Sequence, residues 1–223
     1  DDVDFRRILF ADLLYVGNAS PAAAADSNAH YRNLESSHAD LQAVLQPSSQ
    51  VSQYGTPAQA VAGVLTSRAA ANAFFYAGTN RAMLRFTLMN HMCRDLEQVK
   101  DTTRPSDRIR QDVSRSPGGD SRIFRNSCIG CHSGMDPLAQ AFAYYDWEGD
   151  QEGDGGRMIY NTGNDPDTGT RVQGKYLINS NNFPWGYITP DDHWDNYWRE
   201  GPNANLGWDG TRPGSGNGAA SLG

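Results

Sequence analysis

Cysteine is scarce in this 223-residue chain: there are three, Cys93, Cys128 and Cys131, too few for a disulfide-stapled scaffold. Long apolar runs are missing as well. The most apolar stretches, residues 61–65 and 69–77, are short and alanine-rich, far from the ~20 residues that a bilayer span requires. Positive charge is in deficit: 19 Lys and Arg against 26 Asp and Glu give a net charge of −7 and a pI near 5.1. That balance disfavours nucleic acid and anionic membrane surfaces as partners and suits a protein onto which a basic partner docks. There is no internal repeat, Ser-His-Asp arrangement or metalloprotease motif, and Gly153 to Gly156 are not followed by a phosphate-binding helix pattern. The length suffices for one large or two small domains with a real core.

Against these absences, five residues carry most of the information. Cys128-Ile129-Gly130-Cys131-His132 reads C-x-x-C-H, the sequence at which haem is attached covalently. Two thiols so spaced can form thioethers with the two haem vinyl groups, and the histidine that follows serves as the proximal iron ligand. Three rival readings compete with it. A thioredoxin-like redox pair needs a strand before the first cysteine and a long helix after the second, whereas residues 114–120 read as a turn and Gly134 and Asp136-Pro137 read as interruptions. A zinc site could recruit His91 and Cys93, but two residues apart on a helix their side chains point to nearly opposite faces. A disulfide between Cys128 and Cys131, or one involving Cys93, leaves His132 unexplained. Haem c is the favoured reading, and Cys93 reads as a small buried hydrophobe.

Along the chain, residues 4–16 read as a helix with Phe5, Ile8, Leu9, Leu13 and Val16 near one face. Residues 21–55 read mostly as loop, with a short helix near residues 40–45. Thr56-Pro57 opens a helix to about residue 65, and a second short helix covers residues 68–76. The strongest helical pattern starts at Thr79 or Asn80 and runs to about Lys100, with a stripe of Ala82, Phe86, Met89, Cys93 and Leu96 facing the core and His91 opposite. From Trp147 onward the chain turns rich in Gly, Asn, Asp and aromatics, and residues 209–223 read as a Gly-rich tail.

A haem c site needs apolar walls, counter-charges for its propionates, a partner for the proximal imidazole and a distal ligand or an open face. Phe124, Met135, Leu138, Phe142, Tyr144, Tyr145 and Trp147 can supply walls, Phe142 and Tyr145 foremost. Arg122, Arg125 and Arg157 are candidate propionate partners, because arginine forks onto carboxylates. His132 is expected to donate its other ring proton to a backbone carbonyl, the segment up to Pro137 being the natural supplier. For the distal position Met158 leads, following a Gly-rich loop, with His91 next. Met135 is too close in sequence to reach the far side. Met89 and Met92 read as core filling, and His30, His38 and His193 as solvent histidines. A separate acidic loop, with Asp146, Glu148, Asp150, Glu152 and Asp154 among glycines, has the composition calcium selects but not the spacing of an EF-hand; the reading there is a solvated loop.

The stretch C-I-G-C-H-S-G-M-D-P-L-A-Q-A-F-A-Y-Y-D-W over residues 128–147, with Gly156-Arg157 beyond it, resembles a group of secreted bacterial proteins with a monohaem cytochrome c-like domain. In that group a single C-x-x-C-H is followed by D-P, an apolar segment ending in Asp, and a G-R step. Gly78-Thr79-Asn80-Arg81 and Ser116-Pro117-Gly118-Gly119-Asp120 are similar as well. The resemblance implies one covalent haem c at Cys128, Cys131 and His132, and implies no substrate. The expected fold is mainly α, a variant cytochrome c-like haem domain with a helical N-terminal half (1–120), a haem-binding half (121–208) and a tail (209–223). The expected role is electron transfer in the periplasm or outside the cell with redox protein partners. A haem enzyme with an open distal face and a haem-bearing subunit of a homo-oligomer or filament stand as alternatives. The chain begins Asp1-Asp2-Val3, so it reads as a processed chain or part of a longer one.

Overall fold

The computed structural model of the chain describes residues 4, 7–76, 80–104, 121–150, 155–161, 191–199 and 214–222. In chain order these form α1 (Arg7–Phe10), β1 (Leu14–Gly17), α2 (Ala29–Ser36), α3 (Leu41–Val44), β2 (Leu45–Ser48), α4 (Gln50–Tyr54) and α5 (Arg68–Phe75). There follow α6 (Asn80–Met92), α7 (Leu96–Val99), α8 (Ser121–Ile123), a π-helical turn (Phe124–Cys128) and α9 (Ile129–Ala139). Strands β3 (Tyr145–Glu148), β4 (Arg157–Tyr160), β5 (His193–Asp195) and β6 (Ser215–Asn217) complete the set. The chain is mainly helical, and its described strands pair only as antiparallel ribbons, β1 with β2, β3 with β4 and β5 with β6.

Two compact units share the chain, and neither is a continuous stretch of it. The first comprises Asp1–Ala77, Tyr145–Tyr160 and Ala219–Gly223; the second comprises Gly78–Tyr144 and Asn161–Gly218.

In the first unit α5 starts where Ser67 caps the amide of Ala70, and its Arg68, Ala71 and Phe75 face inward at three- and four-residue steps. Phe75 meets the ring of Tyr145, which in turn meets Tyr160 across the β3–β4 ribbon at 5.0 Å between centroids. The Tyr145 hydroxyl donates to the Ala60 carbonyl at 2.9 Å, so the buried ring leaves no polar atom unmet. Arg68 lies over Trp147, its guanidinium carbon 5.4 Å from the ring centroid, and its Nε donates to the Gly156 carbonyl.

A buried polar cluster ties the earlier part of this unit together. Gln50 donates to the Gly63 carbonyl at 2.7 Å and accepts from the Thr66 hydroxyl at 2.9 Å, and that hydroxyl accepts from the Ala62 amide. His30 belongs to the core and not to solvent. It is 1% exposed, its Nδ1 2.8 Å from the Pro21 carbonyl while its Nε2 accepts from the Gly17 amide. That pairing fixes the neutral Nδ1–H tautomer.

The segment read as one helix over residues 4–16 is instead a single helical turn followed by β1. Its Leu14-Tyr15-Val16-Gly17 run pairs with β2, in a segment read as loop, and the ladder between distant residues overrides the local helical periodicity. Residues 57–65 likewise form tight 3-10 turns at Ala58–Ala60 and Gly63–Thr66 in place of one α-helix.

In the second unit α6 buries Met83, Leu84 and Leu88, a face rotated from the expected stripe, so that Met89 is 41% exposed and Cys93 is exposed. The helix also ends at Met92. Cys93 adopts a left-handed φ of 52°, and the Arg94 amide turns back to the Leu88 carbonyl. Asp95 then caps α7 in a reciprocal box with Gln98, which restarts the chain in a new direction.

Helix α9 runs through Gly134 and Pro137 without breaking, and Ser133 to Ala139 are all buried. Pro137 removes the amide that would bond the Ser133 carbonyl, and the chain tightens to 3-10 geometry over Gln140–Phe142. Gly134 is where the Trp198 indole lies against the helix backbone; a Cβ there would overlap the ring. Helix propensity alone favours Ala over Gly by about 1 kcal/mol, whereas overpacking costs about 1–3 kcal/mol. Gly134→Ala is therefore expected to lower stability, measured as the urea midpoint of unfolding; a raised midpoint would show that the indole does not sit there.

Candidate haem-attachment site

The C-x-x-C-H residues straddle the start of α9. Cys128 is its N-cap, closing the π-helical turn, and Cys131 and His132 lie on its first turns. Cys128 thus stands one turn before Cys131 and His132, which are neighbours within α9. Both cysteines are half-buried and neither is in a disulfide. A chain segment just after α7 straps this helical turn down. The Asp101 amide donates to the Gly130 carbonyl at 2.7 Å, the Ser133 hydroxyl donates to the Asp101 carbonyl at 2.9 Å, and the Cys131 thiol points at the Leu96 carbonyl, 3.6 Å away. Burial, aided by the charge of Glu97, pushes the Cys131 thiol above its ordinary pKa. The segment before Cys128 is helical, where a thioredoxin-like dithiol oxidoreductase has a strand.

His132 Nδ1 lies 3.1 Å from each oxygen of the Asp136 carboxylate, one helical turn further on. The partner is thus a carboxylate rather than the carbonyl expected. Asp136 is 3% exposed and is held from a second direction by Arg81 of α6, whose Nε and Nη2 donate to its two oxygens at 2.6 and 2.7 Å. Burial by itself would push the Asp136 carboxyl up, but the His132 hydrogen bond and the Arg81 charge together outweigh it and hold the carboxyl below its usual range. With the proton of the imidazole kept on Nδ1, Nε2 is the nitrogen suited to an iron ligand. The donor set fits a haem: two sulfurs at C-x-x-C spacing followed by an imidazole whose Nδ1 is anchored.

The other candidates fall into both units. His91 stands in the last turn of α6, half-buried, and burial lowers its pKa; Phe142 is fully buried beyond α9; Arg122 is exposed on α8. Those three share the second unit with His132. The side chains of Arg125 and Phe124 lie outside the described residues. Tyr145, Arg157 and Met158 belong to the first unit. There Arg157 pairs with Glu148 at 2.9 Å on the surface, and half-buried Met158 sits opposite Trp147 in the β3–β4 ribbon. Of the acidic loop, Asp146 is buried with Oδ1 accepting from the Trp147 amide, while Glu152 and Asp154 lie outside the described residues. His193 is half-buried, 3.5 Å from Asp195, and His38 is exposed. Among the described residues no group of three or more His, Cys, Asp and Glu side chains is gathered as a metal site, and no helix is long and apolar enough to cross a membrane.

Sequence reasoning missed Asp136 and Arg81. Asp136 was visible in principle as a carboxylate four residues after a histidine, but Asp136-Pro137 was read as a break. Nothing local connects Arg81 to a residue 55 positions away. No family model, curated protein or solved structure matches the chain.

The pH dependence of stability follows from the carboxylates. An unfolded Asp titrates near ~3.9, and a group depressed below that contributes stability that is present above this value and lost as pH falls through its folded pKa. Asp136 is such a group, and so is exposed Asp95, lowered to about 2 chiefly by its hydrogen bonds from Arg85 and the Leu96 amide. The stability of the haem-free chain should fall on acidification below about pH 4. Urea unfolding at neutral and acid pH should show the deficit of Asp136→Asn against the unaltered chain shrinking as pH drops; a constant deficit would contradict an ionised Asp136.

Proposed function

We propose that this chain is a monohaem c-type cytochrome that transfers electrons outside the cytoplasm. The observation that carries the reading is the C-x-x-C-H run at the start of α9, Cys128 at its N-cap and Cys131 and His132 in its first turns, with His132 Nδ1 3.1 Å from Asp136. The resemblance of residues 128–147 to secreted monohaem cytochrome-like domains supports it. A bound haem supplies a one-electron ferric/ferrous couple. The chain's own residues do the rest: Cys128 and Cys131 tether, His132 offers Nε2, Asp136 keeps the ring proton on Nδ1, and Arg81 offsets the buried negative charge. Because attachment to C-x-x-C-H takes place outside the cytoplasm, this reading carries a periplasmic or extracellular location with it, and the net charge of −7 suits a basic redox partner.

One observation favours a second reading, a haem enzyme that binds a small ligand at an exchangeable position. A carboxylate-held imidazole is a stronger electron donor than one bonded to a carbonyl, and strong proximal donation suits activation of a ligand on the opposite face. An optical spectrum separates the readings: a low-spin spectrum indifferent to cyanide and carbon monoxide supports the electron carrier, and one that responds to either supports the enzyme.

Expressed with the machinery for covalent haem attachment, the chain should retain haem through denaturing electrophoresis. Its pyridine haemochrome should be that of two thioethers. Cys128→Ala or Cys131→Ala should each give the shifted haemochrome of a single thioether, and the double variant should lose covalent haem. An unmodified wild-type chain would contradict the assignment.

A further inference from the structure

The same distances carry a consequence beyond ligation. A neutral carbonyl would orient His132 as well as a carboxylate does, so orientation alone does not call for Asp136 or for the arginine clamped on it. A carboxylate drawn onto Nδ1 also increases electron density at Nε2, and its charge favours the more positive state of any ion that nitrogen ligates. Arg81 acts on the same oxygens in the opposite sense. Its forked bonds at 2.6 and 2.7 Å are shorter than the 3.1 Å contacts to His132, so it holds back part of the carboxylate's pull. With Asp136 3% exposed, water and salt screen this pair poorly.

Resting on the haem reading above, we propose that Asp136 and Arg81 are a paired positioning unit that sets the reduction potential of the haem ligated by His132, Asp136 lowering it and Arg81 limiting how far. The couple takes up one electron and no bond at these residues forms or breaks; the Nδ1 proton stays on His132. The two residues therefore act with opposite signs on one measurable quantity, which a purely structural role would not do.

The test is a spectroelectrochemical titration of the haem-loaded protein and of its Asp136→Asn, Arg81→Gln and Arg81→Lys variants. Asp136→Asn should raise the potential, Arg81→Gln should lower it, and Arg81→Lys, which keeps the charge, should stay near the wild-type value. Should Asp136→Asn fail to fold, the contrast between Arg81→Gln and Arg81→Lys decides. An unmoved or raised potential in Arg81→Gln, or shifts of the same sign in Asp136→Asn and Arg81→Gln, overturns the inference while leaving covalent haem in place. A wild-type chain without covalent haem overturns the site assignment, and the inference with it.

Discussion

The hydrogen-bonded run from Arg81 through Asp136 to His132 is the interaction on which the second unit's arrangement turns. A carboxylate 3% exposed is costly to bury unless its charge and lone pairs are met. Here both oxygens are met, by a guanidinium from α6 and by an imidazole one turn back on α9. Removing either partner leaves a buried charge short of compensation, so α6 and α9 must keep their register for the unit to hold. The same requirement fixes the tautomer and direction of the one histidine in the C-x-x-C-H run.

The strap from Leu96 to Asp101 complements this anchor. It meets the Gly130 carbonyl and the Ser133 hydroxyl and places a carbonyl opposite the Cys131 sulfur. The helix end at Cys93 and the new start at Asp95 are what bring that strap into place, so the break in the strongest helical pattern of the sequence has a structural purpose. Polar satisfaction of a different kind organises the first unit, where Gln50 and His30 each bridge distant backbone groups in a setting with little water.

What the sequence made legible was local. The C-x-x-C-H spacing, the Ser67-capped helix at Arg68–Phe75 and the Asp40-capped turn at Leu41–Val44 follow from residues within a few positions of one another. What it hid was non-local. The β1–β2 ribbon joins Leu14 to Ser48, and no periodicity announces that pairing. The buried face of α6 is chosen by what packs on it rather than by its own apolar pattern, which is why Met89 and Cys93 turned outward. His30 looked like a solvent histidine because both of its partners are backbone atoms, and backbone atoms leave no mark in a sequence. Asp136 was legible as a residue type at helical spacing from His132 but not as a residue inside a helix, since Pro137 argued against one.

The central claim is that Cys128 and Cys131 are haem-bearing sulfurs. Trypsin acting after Arg125 and Arg157 releases both in a single peptide, residues 126–157. Mass spectrometry of that peptide from the protein as its own cell makes it should find one haem joined to the two cysteines. The same peptide recovered with both thiols unmodified, or joined only to each other, would contradict the account.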